Sequence, residues 1–249
     1  MIFKEYGSLE NKTVILLHGG GLSWWNYREV AEHLQDEYHI IIPVLDGHAG
    51  SDRHFTTIEE NASEIISYID EKLSGSVLLI GGLSLGAQIL LEMLSIRKDI
   101  CDHALIESAA VIPSKITNAL IAPTFGSSYG LIKNRRFSEL QFRSLHMKQD
   151  LFEDYYRDTC RITKEDMITF LKANTSYSLK DSFKETSADI YVYVGEKENR
   201  EILRSADKIC SMMPSCKYHR MEGLRHGEFS INHAERYADT IRRIVKGEE

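Results

Sequence analysis

Six short runs rich in apolar and β-branched residues punctuate the chain: Thr13 to Leu17, His39 to Val44, Val77 to Ile80, Ala104 to Ile106, Ile190 to Val194 and Lys217 to Met221. Between them, Tyr27 to Leu34, Ile58 to Leu73, Ala87 to Ile96, Glu201 to Met212 and His233 to Val245 carry apolar residues at helical spacing. Strands that alternate with helices have a crossover for every neighbour, so they pair in parallel and are covered on both faces. The expected fold class is α/β: a mostly parallel sheet flanked by helices.

The alternation breaks once, between residues 113 and 187, where the sequence turns polar and helical. Ser138 to Met147, Leu151 to Cys160 and Lys164 to Leu171 read as members of a set of three or four amphipathic helices. So long an excursion is too structured for a loop. Residues 1–112 and 188–249 are therefore expected to form one core, and residues 113–187 an inserted helical cap. With 249 residues, 43% of them hydrophobic, the chain is long enough for one sizeable core.

The formal charge of −7 supplies no basic field for nucleic acid or anionic lipid, so no nucleic-acid partner is expected. The most apolar stretch, Val77 to Leu94, is interrupted by Gly81, Gly82, Ser84, Gly86, Gln88 and Glu92, and reads as a strand turning into a helix rather than an integral membrane segment. The N-terminus carries Lys4 and Glu5 and lacks the apolar core of a signal peptide, giving a cytoplasmic expectation. Cys101, Cys160, Cys210 and Cys216 form no CxxC pair and are expected to be buried free thiols, with no disulfide and no metal.

The strongest chemical signal is Gly82-Leu83-Ser84-Leu85-Gly86, directly after the apolar run and directly before a helix. A nucleophile at a sharp strand-to-helix turn needs small residues two before and two after it, and Gly82 and Gly86 supply that room. The bland reading is a tight glycine turn with an incidental serine. The helix behind Ser84 aims N–H groups and the positive end of its dipole at an anion forming beside the hydroxyl. His18-Gly19-Gly20-Gly21, at the end of another strand, offers bare N–H groups: Gly20 or Gly21 paired with Leu85 would form an oxyanion hole. No GK[ST] follows, and Trp24 and Trp25 crowd out a nucleotide, so this is no phosphate loop; with Gly21 they are instead candidates to line a substrate pocket.

A serine needs a base. His226, in Met221-Glu222-Gly223-Leu224-Arg225-His226-Gly227, follows the last strand, where open parallel sheets bind ligands. His18 and His48 are expected to hydrogen-bond the local backbone instead.

These motifs resemble the α/β-hydrolase superfamily, in its branch of small esterase-like enzymes with a helical cap. The resemblance spans nearly the whole chain and rests on HGGG at His18 to Gly21, DGHAGSD at Asp46 to Asp52, GLSLG at Gly82 to Gly86, GEKE at Gly195 to Glu198 and GLRHG at Gly223 to Gly227. It implies Ser84 as nucleophile and His226 as base, in the order serine, acid, histidine. The family's usual GHGxS turn has Ala49 in place of its second glycine here, and the family's GxxD ends here in Glu198. Glu198 thus fills the acid slot. Glu107, at the end of the HALIE strand, occupies the alternative acid position of some family members, and Glu196 serves if the turn is shifted.

The expected activity is hydrolysis of a small carboxylic ester or thioester through an acyl-enzyme, with no cofactor. Ser84 attacks, His226 takes its proton, Glu198 orients His226, and the N–H groups of Gly20 and Leu85 hold the oxyanion. Other readings on the scaffold are C–C bond hydrolysis, peroxidation and a small-molecule sensor. A dehalogenase is disfavoured because its nucleophile would be a carboxylate where this chain has Ser84. An enclosed pocket under a cap rich in rings (Phe125, Tyr129, Phe137, Phe142, Phe152, Tyr155, Tyr156) points to acyl chains of roughly two to six carbons.

Overall fold

Strand and helix alternate in the computed structural model much as their spacing predicts. It describes residues 1–249, with the main chain alone for residues 127–128. The first half of the core runs β1 (Ile2–Tyr6), β2 (Thr13–Leu17), α1 (Arg28–Leu34), β3 (His39–Val44), α2 (Ile58–Lys72), β4 (Val77–Leu83), α3 (Leu85–Ile96) and β5 (Cys101–Glu107). Four helices follow: α4 (Lys115–Ile132), α5 (Arg135–Ser144), α6 (Phe152–Thr159) and α7 (Lys164–Ser176). The core then resumes with β6 (Asp189–Gly195), α8 (Arg200–Met212), β7 (Lys217–Met221), α9 (Glu228–Asn232) and α10 (Ala234–Lys246).

The seven strands lie in the order β1, β3, β2, β4, β5, β6, β7, all parallel except β1, which pairs antiparallel with β3. Successive strand residues face opposite layers. On β2, Ile15 and Leu17 join the apolar cluster that takes in α2, α3 and α8, while Val14 and Leu16 join the one that takes in α1 and α10. Each such fully buried aliphatic side chain is worth about 1.5–3 kcal/mol relative to exposure. The register places Leu83 beside Glu107 and Glu107 beside Tyr193, so the chain leaves β4, β5 and β6 at one level of the sheet.

Two elements lacked a clear pattern in the sequence. Strand β1 is a mostly exposed edge strand carrying Lys4 and Glu5, so it shows no apolar run. Helix α4 contains Pro123, Gly126 and Gly130, which break the helical spacing, although the Ser114 hydroxyl caps its first turn. The cysteine expectation is corrected: Cys210 and Cys216 form a disulfide, and Cys160 is only half-buried. The cause is local, because α8 ends at Met212 and the turn from Met213 to Cys216 folds the chain back until the two Cα atoms are 5.2 Å apart. Cys101 is a buried free thiol.

The inserted helices are tied to the core by buried polar contacts. Trp25 Nε1 donates to Asp158 at 3.0 Å, with both residues buried, and Arg28 pairs with Asp154. Asp166 accepts from the Phe55 N–H at 2.8 Å and the Thr163 hydroxyl at 2.6 Å, and it faces His54. After α7 the returning segment lies against α3, with Phe183 fully buried and Lys180 paired with Glu92. No helix among the described residues is long and apolar enough to cross a membrane.

Burial opposes ionisation of Asp166, but hydrogen bonds from Thr163, His54 and Phe55 outweigh it and lower its pKa. Its contribution is therefore present above the ordinary carboxylate range and lost as pH falls through the depressed folded value. Asp166→Ala strands the Phe55 N–H and is expected to cost about 2 kcal/mol. At pH 7 the melting temperature should fall by roughly 4–8 °C for a chain of this size; an unchanged melt would show that the tie carries no load.

Candidate active site

Ser84 occupies the single residue between β4 and α3, with φ of 52° and ψ of −109°. Non-glycine residues adopt this region at a cost, and the neighbouring glycines are what permit it. A Cβ on Gly82 would lie 2.6 Å from the Gly86 carbonyl oxygen, and one on Gly86 would lie 2.1 Å from that of Leu17. The turn is half-open to a cavity, and the Ser84 N–H is held by the Glu107 carbonyl at 2.9 Å.

The glycine loop after β2 can be settled by accounting for its donors. The Gly19 N–H goes to the Asn26 side chain, the Gly21 N–H to His48 Nε2 at 3.0 Å, and the Leu22 N–H to the Gly19 carbonyl. The Gly20 N–H remains without an acceptor among the described residues, as does the N–H of Leu85 at the start of α3. Gly20 packs on Leu85, whose side chain lies 3.5 Å from where a Cβ would be. Of the two alternatives, the free donor is therefore Gly20.

His18 and His48 hold this loop. His18 Nδ1 donates to the Gly19 carbonyl and its Nε2 accepts from Leu45; His48 Nδ1 donates to the Asp46 carbonyl. Burial, with the neighbouring His48, lowers the His18 pKa to about 3. Burial also lowers that of His48 to about 4. Both rings stay neutral and serve the backbone, as the sequence suggested. Phe170 of α7 stacks on His48 with ring centres 4.6 Å apart, so the inserted region touches the donor loop.

His226 sits between β7 and α9, and its Nδ1 donates to both oxygens of Glu198 at 3.1 Å. The Glu198 side chain is 1% exposed and also accepts from the Ser108 hydroxyl. Burial works against a charged imidazole, but the hydrogen bond and charge of Glu198, with the charge of Glu107, outweigh it and raise the His226 pKa. Nε2 is left free to accept a proton. Ser84 and His226 line one cavity without a direct hydrogen bond between them; such contacts commonly tighten only around a substrate.

The three glutamates separate cleanly. Glu196 binds the Gly223 N–H at 2.9 Å and shapes the turn before His226. Glu107 lies buried behind the site, accepting from the Ser230 N–H at 3.2 Å, and burial raises its pKa to about 7. Only Glu198 reaches the imidazole. Ser108, with φ of 56°, was missed by the sequence reading; its one signal is its place directly after the HALIE strand.

The cavity at Ser84 and His226 measures about 340 Å³ and has Leu22, Leu83, Leu145, Met147 and Ile231 in its walls. A second, of about 240 Å³, meets it at Ser84, Asn199 and His226. Gly21, Trp24 and Trp25 line neither, because Gly21 turns to His48, Trp25 faces Asp158, and Trp24 lies under Lys4 and Arg28. The seven rings of the inserted region also lie off both cavities. What that region contributes to the first cavity is the turn from Ser144 to Met147, which Asn232 clamps: its side chain donates to the His146 carbonyl at 2.7 Å and accepts from the Lys148 N–H at 3.0 Å. Among the described residues no three His, Cys, Asp or Glu side chains gather to hold a metal.

Comparison with known proteins finds no significant match among curated sequences. A family model, described as the alpha/beta hydrolase family, matches residues 14–240. Solved structures superpose closely. A thermophilic esterase from Thermogutta terrifontis has a TM-score of 0.80 at 17% identity, over 99% of this chain and 93% of that one. An enol-lactonase from Burkholderia xenovorans gives 0.79 at 13% identity, over 98% and 96% of the two chains. A lipase-esterase related protein from Clostridium acetobutylicum gives 0.77 at 17%, over 97% and 98%. At these identities the likeness is one of fold.

The raised pKa of Glu107 has a measurable consequence. Between its ordinary value and about 7, the folded chain keeps a proton that the unfolded chain has released, so stability falls as pH rises across that window. Glu107→Gln keeps an acceptor for Ser230 and removes this linkage. The variant should gain on the wild type by up to the order of 3 kcal/mol between pH 4.5 and 8. Denaturant melts at the two pH values check it; a constant difference would mean that Glu107 is not the linked group.

Proposed function

The chain belongs to the alpha/beta hydrolase family, and from that premise we propose that it is a serine hydrolase of small carboxylic esters or thioesters. The observation that carries the reading is the strained Ser84 turn opening on the same cavity as the His226–Glu198 pair, with two unpaired N–H groups beside it.

In this reading Ser84 Oγ bonds to the carbonyl carbon as its proton passes to His226 Nε2. The carbonyl oxygen takes up the electron pair and is held by the N–H groups of Gly20 and Leu85, each donor worth about 3 kcal/mol at the transition state. Collapse breaks the bond to the leaving alcohol or thiol, which receives the proton from His226. Water then repeats the sequence on the acyl-enzyme and releases the acid. Glu198 stabilises the imidazolium and fixes its tautomer, and Ser108 holds Glu198 in place. The inserted helices act as a cap, and a cavity of about 340 Å³ suits short acyl chains, roughly two to six carbons.

Ser84→Ala should abolish both ester turnover and labelling by a fluorophosphonate; labelling that persists would place the nucleophile elsewhere. Because neutral His226 is the base, kcat/KM should rise with pH through a midpoint above the ordinary histidine value. Glu198→Gln should lower kcat by about 10³–10⁴ and move that midpoint to lower pH, since the carboxylate that raises it most is gone and only the charge of Glu107 still opposes desolvation of the ring. A larger loss from Glu107→Gln would reassign the acid. Peak turnover on long-chain emulsified lipid, rather than on short p-nitrophenyl esters, would recast the cap as a lipase lid.

A further inference from the structure

The two cavities that meet at Ser84 carry opposite charge. The larger is lined by Lys197, Arg225 and His146, from three separate loops. Its one carboxylate, Glu198, is spoken for by His226 and Ser108. Neither Lys197 nor Arg225 has a carboxylate within 4.0 Å among the described residues; Glu228, the nearest candidate in sequence, bonds the main-chain N–H of Arg225. The smaller cavity holds no Lys or Arg. Its walls combine Ala110, Ile112 and Ile202 with Ser114, Thr117, Asn174 and Thr175, whose side chains already bond one another or their neighbours, and with Glu201, whose carboxylate disfavours an anion there.

The Lys197 and Arg225 side chains are exposed where they line the larger cavity, so on a protein of net charge −7 they set a positive patch beside Ser84 and His226. An unpaired Lys or Arg beside an apolar wall gains most from an oxyanion that brings its own charge-assisted hydrogen bonds. The third contributor is fixed in place, since Asn232 clamps the main chain of His146 and Lys148 to the core.

We propose that the substrate carries an oxyanionic group, carboxylate or phosphate, on the half that occupies the larger cavity, and an uncharged half in the smaller. Lys197 and Arg225 bind that group and set specificity; they take no part in bond making. The proposal rests on the hydrolase reading above and adds the polarity of the substrate to it.

Matched esters test it. p-Nitrophenyl hydrogen adipate is compared with its neutral methyl ester, and p-nitrophenyl 6-phosphonooxyhexanoate with the 6-hydroxyhexanoate, each corrected for the Ser84→Ala background. At low ionic strength the anionic member of at least one pair should have kcat/KM about tenfold higher, as one charge-assisted hydrogen bond allows. The pair that shows it distinguishes carboxylate from phosphate. Added salt should shrink the preference. In Lys197→Ala/Arg225→Ala the ratio should fall toward one, whereas Lys197→Arg/Arg225→Lys should retain it. Equal rates within both pairs, or a preference untouched by the double alanine variant, would overturn the proposal. If wild type turns over no ester and Ser84 is not labelled, it is the hydrolase reading that fails. The anion site is then judged by calorimetry with monomethyl adipate and 6-phosphonooxyhexanoate: binding of either that the double alanine variant loses upholds it, and binding of neither overturns it.

Discussion

The main chain at Gly86 runs so close to the Leu17 carbonyl that a Cβ there would approach it to 2.1 Å. That contact fixes the first turn of α3 against the end of β2, and with it the relation between the elbow and the glycine loop. Gly20 can then pack on Leu85, so that two N–H groups from distant parts of the sequence lie side by side. A similar approach recurs at Gly195, where a Cβ would lie 2.4 Å from the Leu224 carbonyl and would separate the loop bearing Glu198 from the loop bearing His226. The site is assembled by backbones that touch, and glycine is the residue that lets them.

Around these contacts the chain uses its polar groups economically. In the glycine loop, Asn26, His48 and the Gly19 carbonyl consume three N–H groups and leave the fourth. Behind His226 one carboxylate is supplied with two hydrogen-bond partners and kept for the imidazole, while Glu107, with less to accept from, is driven toward its neutral form by burial. Burial without matching donors thus favours the protonated form of Glu107, in a site where Glu198 keeps two donors.

How much of this is legible in the sequence follows from range. Strands β2 to β6 show as apolar runs because both faces of a parallel sheet are covered, whereas the edge strands β1 and β7 are largely exposed and carry charged residues, and β1 escapes notice. Ser84 stands out because the glycines it needs lie within two residues. His226 is placed by its position after the last strand, and Glu198 by the slot that a family resemblance supplies. Ser108 and Asn232 carry no such mark. Their work is done on partners 90 and 86 residues away, and no local pattern encodes it. Trp24 and Trp25 mislead for the opposite reason: adjacency to the glycine loop suggests a pocket, but the 3-10 turn that follows carries both rings away from the cavities. The disulfide was hidden because a helix end and a turn, rather than a spacing motif, bring Cys210 to Cys216.

His18 and His48 also bear on how the molecule meets acid. Their folded values lie near 3 and 4, against an ordinary value of 6.5. As pH drops below the ordinary value, the unfolded chain takes up two protons that the folded chain refuses. Stability therefore drains away from the unfolded side, well before either ring is charged in the native protein. The loop geometry should persist unchanged down to the pH at which the whole fold gives way, so that acid inactivation is expected as a cooperative loss rather than a gradual loosening of the glycine loop.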